Sequence, residues 1–294
     1  MNFNESYKEK VLKYGVYFIA EIGQNHQGKL EIAKSMVDSL KGIGVSAIKT
    51  AKRDIEVSLP KKLKDSIYEN PNSFGKTYYE HRKALELSDE DFISLKSYVE
   101  RSGFDFISSF TDIPSLNFLT KIGTKCLKIA SQRLADIKLL KEVASKMLPM
   151  IISSGMSSIE NIDDVLNIFE KNEKYLLQCT STYPCPENEL NLNVIKTFKS
   201  RYMGKIDGLG FSGHHTGIAP DLAAFLLGAT IIERHYTLDR SMKGTDHAAS
   251  LEFKGVESIL KYIHQIRNSL GSTEKSMLPS ELVALKKLRA DLLS

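Results

Sequence analysis

The sequence is poor in cysteine, in long apolar runs and in concentrated charge of either sign. Cys126, Cys179 and Cys185 are the only cysteines in 294 residues. An odd, low number without metal-finger spacing argues against a disulfide framework and for a reducing compartment. No apolar run approaches the ~18 residues that a membrane helix requires, so no membrane-spanning role is expected. The segment from Met1 to Lys13 is polar and carries Glu5, Lys8 and Lys10, which leaves no signal-peptide apolar region. These absences lead to the expectation of a soluble, cytoplasmic protein. The 40 basic and 36 acidic residues leave a net charge of +4, and the basic residues are dispersed. Without a basic stripe, nucleic acid is not an expected partner, whereas small anionic ligands are mildly favoured. Low-complexity tracts and obvious linkers are missing too.

What is present is an ordinary globular mixture, 42% hydrophobic and 26% charged, with ample material for one large core. Short β-rich runs alternate with longer helical patterns. The runs are Val16–Ile22, Ser46–Thr50, Asp105–Ser108, Cys126–Ile129, Met150–Ser153, Tyr175–Gln178, Asp207–Phe211 and Thr230–His235. Each is dominated by Ile, Leu, Val, Phe or Tyr, as buried parallel strands are. Helical patterns cover Lys29–Ile43, Asp89–Ser102, Ile113–Lys121, Ala135–Lys146, Ser158–Lys171, Leu192–Lys199, Ala219–Leu227 and Lys254–Leu270. Ser157, three residues before Glu160, reads as a capping box for the fifth. Eight strands alternating with eight helices predict an α/β fold, a single-domain (β/α)8 TIM barrel over residues 1–275. A doubly wound sheet stays open, because counting units does not prove closure. A helix-like Leu282–Leu293 makes residues 276–294 a C-terminal helical extension. Residues 51–88 break the alternation with a long polar excursion, and a loop of that kind on a barrel faces the active site.

Active sites of such barrels lie at the C-terminal strand ends. Those ends read Glu21, Lys49, Ser108 with Ser109, Lys128 with Ser131, Ser153 with Ser154, Thr180 with Ser181, Ser212 with His214, and His235. Strands often stop where polarity begins, so no single end is informative. The set nevertheless combines lysines, hydroxyls, two histidines and a carboxylate, which describes a pocket for a phosphorylated anion beside a metal.

Six motifs occur in order: AEIGQNHQG (Ala20–Gly28), LKIAS (Leu127–Ser131), IISSGMSSIE (Ile151–Glu160), QCTSTYPCP (Gln178–Pro186), FSGHHTGIA (Phe211–Ala219) and IERHYTLDRSMKGTDHAASLE (Ile232–Glu252). Together they resemble the catalytic barrel of the sialic acid (nonulosonic acid) synthase family over residues 16 to 255. The resemblance implies a metal-dependent condensation of phosphoenolpyruvate with N-acetylmannosamine or a similar aldose, giving a nine-carbon 3-deoxy-ulosonic acid. It implies a divalent cation, typically Mn2+ with Mg2+ or Co2+ as alternatives, held by His214 and His235. Imidazole suits such ions and leaves positions for water and substrate. The plainer reading of two strand-end histidines is hydrogen-bonded loop anchors.

By the same resemblance Lys49 and Lys128 neutralise phosphoenolpyruvate, and Ser109, Ser131, Ser153, Ser181 and Ser212 contact it. A lysine ending a buried strand needs an anion, and the alternative for these lysines is an ion pair with Glu21 or Asp246. Glu21 corresponds to the family's acid/base, against a salt-bridged core glutamate. Asp246 corresponds to an aspartate near metal and sugar. His215 should point away from His214, because successive extended residues face opposite ways.

Three departures concern the sugar. Ala51 replaces a common glutamine, Ser131-Gln132-Arg133 replaces an acid with a base, and no antifreeze-like domain follows within the chain. Arg133 is accordingly a candidate sugar contact, equally open to a rim ion pair, with His81 and Arg82 as weaker candidates. The family also suggests a homodimer. Alternatives are a 3-deoxy-ulosonate phosphate synthase acting on a shorter aldose phosphate, and a catalytically silent sugar-binding barrel.

Overall fold

A computed structural model describes residues 1–289. The eight strands are β1 (Tyr17–Gly23), β2 (Ala47–Lys52), β3 (Asp105–Phe110), β4 (Leu127–Ile129), β5 (Met150–Ser153), β6 (Lys174–Cys179), β7 (Gly208–Gly213) and β8 (Ile231–His235). Each pairs in parallel with the next, and β8 returns to β1, where Glu21 stands opposite His235. The sheet is therefore a closed barrel, and the doubly wound alternative falls.

The helices are α1 (Phe3–Tyr14), α2 (Leu30–Ser39), α3 (Ile55–Ser58), α4 (Lys61–Lys64), α5 (Tyr78–Ala84), α6 (Asp89–Arg101) and α7 (Ile113–Lys121). After them come α8 (Ile137–Ser145), α9 (Ile159–Ile168), α10 (Val194–Tyr202), α11 (Ala219–Leu226), α12 (Phe253–Leu270) and α13 (Glu281–Leu288). Their apolar stripes pack on the outward-facing strand residues, such as Phe18, Ile48, Leu176 and Ile232, to form the main core.

A second apolar cluster fills the barrel from below. Tyr17, Ile19, Ala47, Ile107, Cys126, Ile151, Tyr175, Leu177 and Ile231 point inward. The polar N-terminal segment, not read as structured from sequence, forms α1 behind an Asn2–Glu5 capping box. It plugs this end by setting Phe3 and Tyr7 against Tyr17 and Tyr175, with ring centroids 4.8–5.9 Å apart. Asp105 anchors the plug, accepting hydrogen bonds from Ser6, Lys10 and Tyr17. Substrates must therefore enter from the opposite end.

Some element ends differ from the sequence reading. The second helix stops at Ser39, short of Ile43, because Gly42 and Gly44 take left-handed φ of 81° and 96°. The cap of α9 is Ser158 paired with Asn161, one residue beyond the Ser157–Glu160 pair that the spacing suggested. The excursion after β2 folds into α3, α4 and α5. The helix expected over Leu282–Leu293 spans Glu281–Leu288 with Arg289 as its C-cap, and residues 290–293 of the expected range lie outside the described residues.

Candidate active site

Strand alternation carries the inward columns from apolar to ionisable as they climb. On β1 the series is Tyr17, Ile19, Glu21; on β8 it is Ile231, Glu233, His235; on β6 it is Tyr175, Leu177, Cys179. Lys49, Lys128, Ser153 and Ser212 take the corresponding places on β2, β4, β5 and β7. They open into a cavity of about 640 Å³, which the excursion walls on one side with Arg53, Ile55, Leu63, Tyr78 and Arg82.

The floor is a packed charge lattice. Lys49 pairs with Glu21, and its Nζ is 3.8 Å from Glu233. Lys128 lies 3.6 Å from the same Glu233 oxygen and donates to Ser153 Oγ at 2.5 Å. Ser212 donates to Glu233 at 3.1 Å. All are at least nine-tenths buried. Burial would lower the Lys49 ammonium, but Glu21 and Glu233 more than offset it and hold it above its usual range. Lys128 is lowered by burial despite Glu233. Burial would raise the Glu233 carboxyl, yet Lys128, Lys49 and Ser212 hold it below the usual range. Five cationic side chains and three carboxylates line the cavity, so an incoming polyanion meets a surplus of positive charge.

Hydroxyls sit beside the lysines. Ser131 Oγ accepts from the Gly155 amide at 3.0 Å, and a Cβ at Gly155 would collide with the Ser131 and Ser181 hydroxyls. Glycine there lets backbone and two hydroxyls close on one small volume, a cradle suited to phosphate oxygens.

His214 and His235 face each other with ring centroids 5.4 Å apart. His214 Nδ1 donates to the Thr180 carbonyl at 3.0 Å, which leaves Nε2 its lone pair. Burial, with the charge of His235, pushes its pKa down to about 3, so the ring stays neutral. His235 Nδ1 is buried without a hydrogen-bond partner, 3.8 Å from Asp246. A neutral imidazole with one nitrogen fixed, beside a second with an orphaned nitrogen, fits a cation held in part by solvent and substrate. Among the described residues, no three His, Cys, Asp or Glu side chains converge on one point. Burial would raise Asp246, but His235, Thr245 and Gln24 hold it down, and Gln24 also accepts from Arg82 at 2.6 Å.

Glu21, Lys49, Lys128, Ser131, Ser153, Ser181, Ser212, His214, His235, Asp246, Arg82 and Arg133 thus all line one cavity. Two candidates do not. Ser109 donates to the Thr50 carbonyl at 3.4 Å, and Thr111, just past the end of that strand, lines the cavity instead. His81 is buried behind the wall among Tyr68, Phe74 and Tyr78, where it accepts from the Phe74 amide. It folds the excursion. His215 points outward as expected and stacks on Phe211. Arg133 is partly exposed, 3.8 Å from Asp136. Sequence reading passed over Glu233, Arg53 and Tyr183. Glu233 was accessible, since two residues before His235 on one strand means the same face. Tyr183, whose ring lies 4.1 Å from that of His214, depends on the path of the loop after β6.

The profile of the NeuB family matches residues 36–275. The chain belongs to this family. It is 37% identical over 278 residues to the N-acetylneuraminate-9-phosphate synthase of Mus musculus, covering 94% of this chain and 77% of that one. It is 34% identical to the N,N'-diacetyllegionaminic acid synthase of Legionella pneumophila, covering 90% and 76%. The N-acetylneuraminic acid synthetase of Leptospira borgpetersenii, solved in complex with citrate, superposes with a TM-score of 0.78 at 33% identity, covering 95% and 92%. This NeuB-family chain is an enzyme of the sialic acid synthase type, a phosphoenolpyruvate-dependent carbon–carbon bond-forming transferase. The silent-barrel reading is set aside. Among the described residues no helix is long and apolar enough to cross a membrane.

Proposed function

We propose that this enzyme condenses phosphoenolpyruvate with a six-carbon, N-acetylmannosamine-like aldose carrying a phosphate at its far end, giving a nine-carbon ulosonic acid phosphate and inorganic phosphate. The observation that carries the reading is the meeting, in one cavity, of the Lys49–Lys128 floor, the Ser131–Ser181 cradle, Glu21 and the histidine pair. The phosphorylated form of the aldose is favoured by the rim. Arg53, Arg82 and Arg133 stand there, and the buried Nε of Arg133 has no partner. Guanidinium forks match phosphate oxygens. The mouse relative named above is a 9-phosphate synthase, and a phosphate on the sixth carbon of the aldose becomes one on the ninth of the product.

The reaction joins C3 of phosphoenolpyruvate to the aldehyde carbon, adds water at C2 and breaks the bond between C2 and the phosphate oxygen. Lys49 and Lys128 bind the phosphoenolpyruvate anion, while Ser131, Ser153, Ser181 and Ser212 orient it. Their contribution is position and preorganised charge. Binding draws Lys49 away from Glu21 and frees that carboxylate to take a proton from the attacking water. Asp246, tied through Gln24 to Arg82, orients the sugar hydroxyls. A divalent cation, Mn2+ foremost, would be held by His214 and His235 and supply Lewis-acid polarisation of the aldehyde oxygen.

The test is phosphate release from phosphoenolpyruvate by the purified enzyme with Mn2+ and an aldose. Release should require the aldose and should stop on chelation. Undiminished release after exhaustive chelation, with metal analysis reading empty, would contradict the histidine assignment.

A further inference from the structure

Behind the barrel wall lies a second charged cluster that the reaction does not use. Arg234, Asp221 and His215 are 1%, 0% and 0% exposed, and Arg234 heads the fully buried side chains in size. Alternation explains their place. Arg234 directly precedes His235 on β8 and His215 directly follows His214, so both point outward where the histidines of the site point inward.

Every hydrogen-bond partner of the guanidinium lies in the connection from β7 to α11 or in the first turn of α11. Nη1 donates to Asp221 Oδ2 at 2.5 Å and to the Gly217 carbonyl at 3.1 Å, and it lies 2.9 Å from His215 Nε2, itself 3.2 Å from the same Asp221 oxygen. Nη2 donates to the His215 carbonyl at 2.6 Å. The His215 ring fits only because Gly213 beside it has no side chain; a Cβ there would stand 2.8 Å from it. One side chain of β8 thus grips the backbone that carries His214. The two site histidines are otherwise held unequally. His214 has the Thr180 carbonyl, whereas His235 Nδ1 has no hydrogen bond, and its ring is placed by its backbone. That backbone is fixed by Leu251, which donates to the His235 carbonyl, and by Arg234.

A buried ion pair is a poor device for stability, since apolar side chains of the same volume often do as well, but it is a good one for fixing register. We infer that Arg234, backed by Asp221 and His215, is a positioning strut that sets the separation of His214 and His235 and thereby the enzyme's affinity for a divalent cation. This rests on the reading of the two histidines as metal ligands.

The experiment is Mn2+ titration of the metal-free enzyme, followed by electron paramagnetic resonance of free Mn2+. Phosphoenolpyruvate binding without metal is measured alongside, and circular dichroism verifies the fold. Arg234→Lys should weaken Mn2+ binding by ~10-fold or more and change phosphoenolpyruvate affinity less than about twofold. Asp221→Asn keeps the shape of the cluster, tests it should the lysine variant not fold, and should weaken Mn2+ in the same selective way. A folded Arg234→Lys with wild-type Mn2+ affinity, or one that loses both ligands equally, would overturn the strut. His214→Ala separates the two readings: if it binds Mn2+ like wild type, the metal assignment itself is wrong and the strut falls with it.

Discussion

The floor and the rim of the cavity are built by different means. The floor is made of strand residues: Glu21, Lys49, Lys128, Ser153, Ser212 and Glu233 are at least nine-tenths buried and tied to one another across neighbouring strands. The rim is made of loops and short helices. Arg53 is held by Glu86 at 2.8 Å, Arg82 by Gln24, and Arg133 only by Asp136 at 3.8 Å. A closed barrel fixes strand ends to within the register of its hydrogen bonds, which suits charges that must meet the same reacting atoms every time. Loops can vary without disturbing it, which suits recognition of the part of the substrate that differs between relatives.

The largest expected effect lies at the floor. Glu21→Gln should lower kcat by roughly 10²–10⁴, the usual scale of acid–base catalysis, while phosphoenolpyruvate binding persists. Steady-state kinetics with a parallel binding titration checks both; wild-type turnover would make Glu21 a structural partner of Lys49.

Lys128→Met comes next. It removes a charge that phosphoenolpyruvate needs and leaves the buried Glu233 with only Lys49 at 3.8 Å and Ser212, so the KM for phosphoenolpyruvate should rise by about 10²-fold, some 2.7 kcal/mol, and the melting temperature should fall. Adding Glu233→Gln should recover much of the melting temperature and none of the affinity. Recovery of both would mean that the lysine serves only the fold.

Legibility followed the same division. The floor could be read because strand periodicity and strand-end position are local properties: once β8 is placed, Glu233 and His235 necessarily share a face. The closed order of strands was an expectation from alternation that only pairing of β8 with β1 could settle. The rim could not be read this way. His81 and Arg82 are neighbours in sequence, yet α5 turns Arg82 to the cavity and His81 into an aromatic pocket behind it. That choice depends on how the excursion folds over the barrel. The α1 plug escaped notice for a related reason: its polar composition hides Phe3 and Tyr7, whose shared partner Tyr175 is distant in the chain.

The central claim is that the floor takes phosphoenolpyruvate and the rim chooses the aldose. The most direct measurement compares kcat/KM for N-acetylmannosamine and its 6-phosphate in the wild type and in Arg133→Ala, with product masses read by mass spectrometry. The account predicts a clear wild-type preference for the phosphorylated sugar. In the variant that preference should fall by ~10-fold, about 1.4 kcal/mol, with the phosphoenolpyruvate KM little changed. Equal use of the two sugars by the wild type, or a variant altered only toward phosphoenolpyruvate, would contradict it.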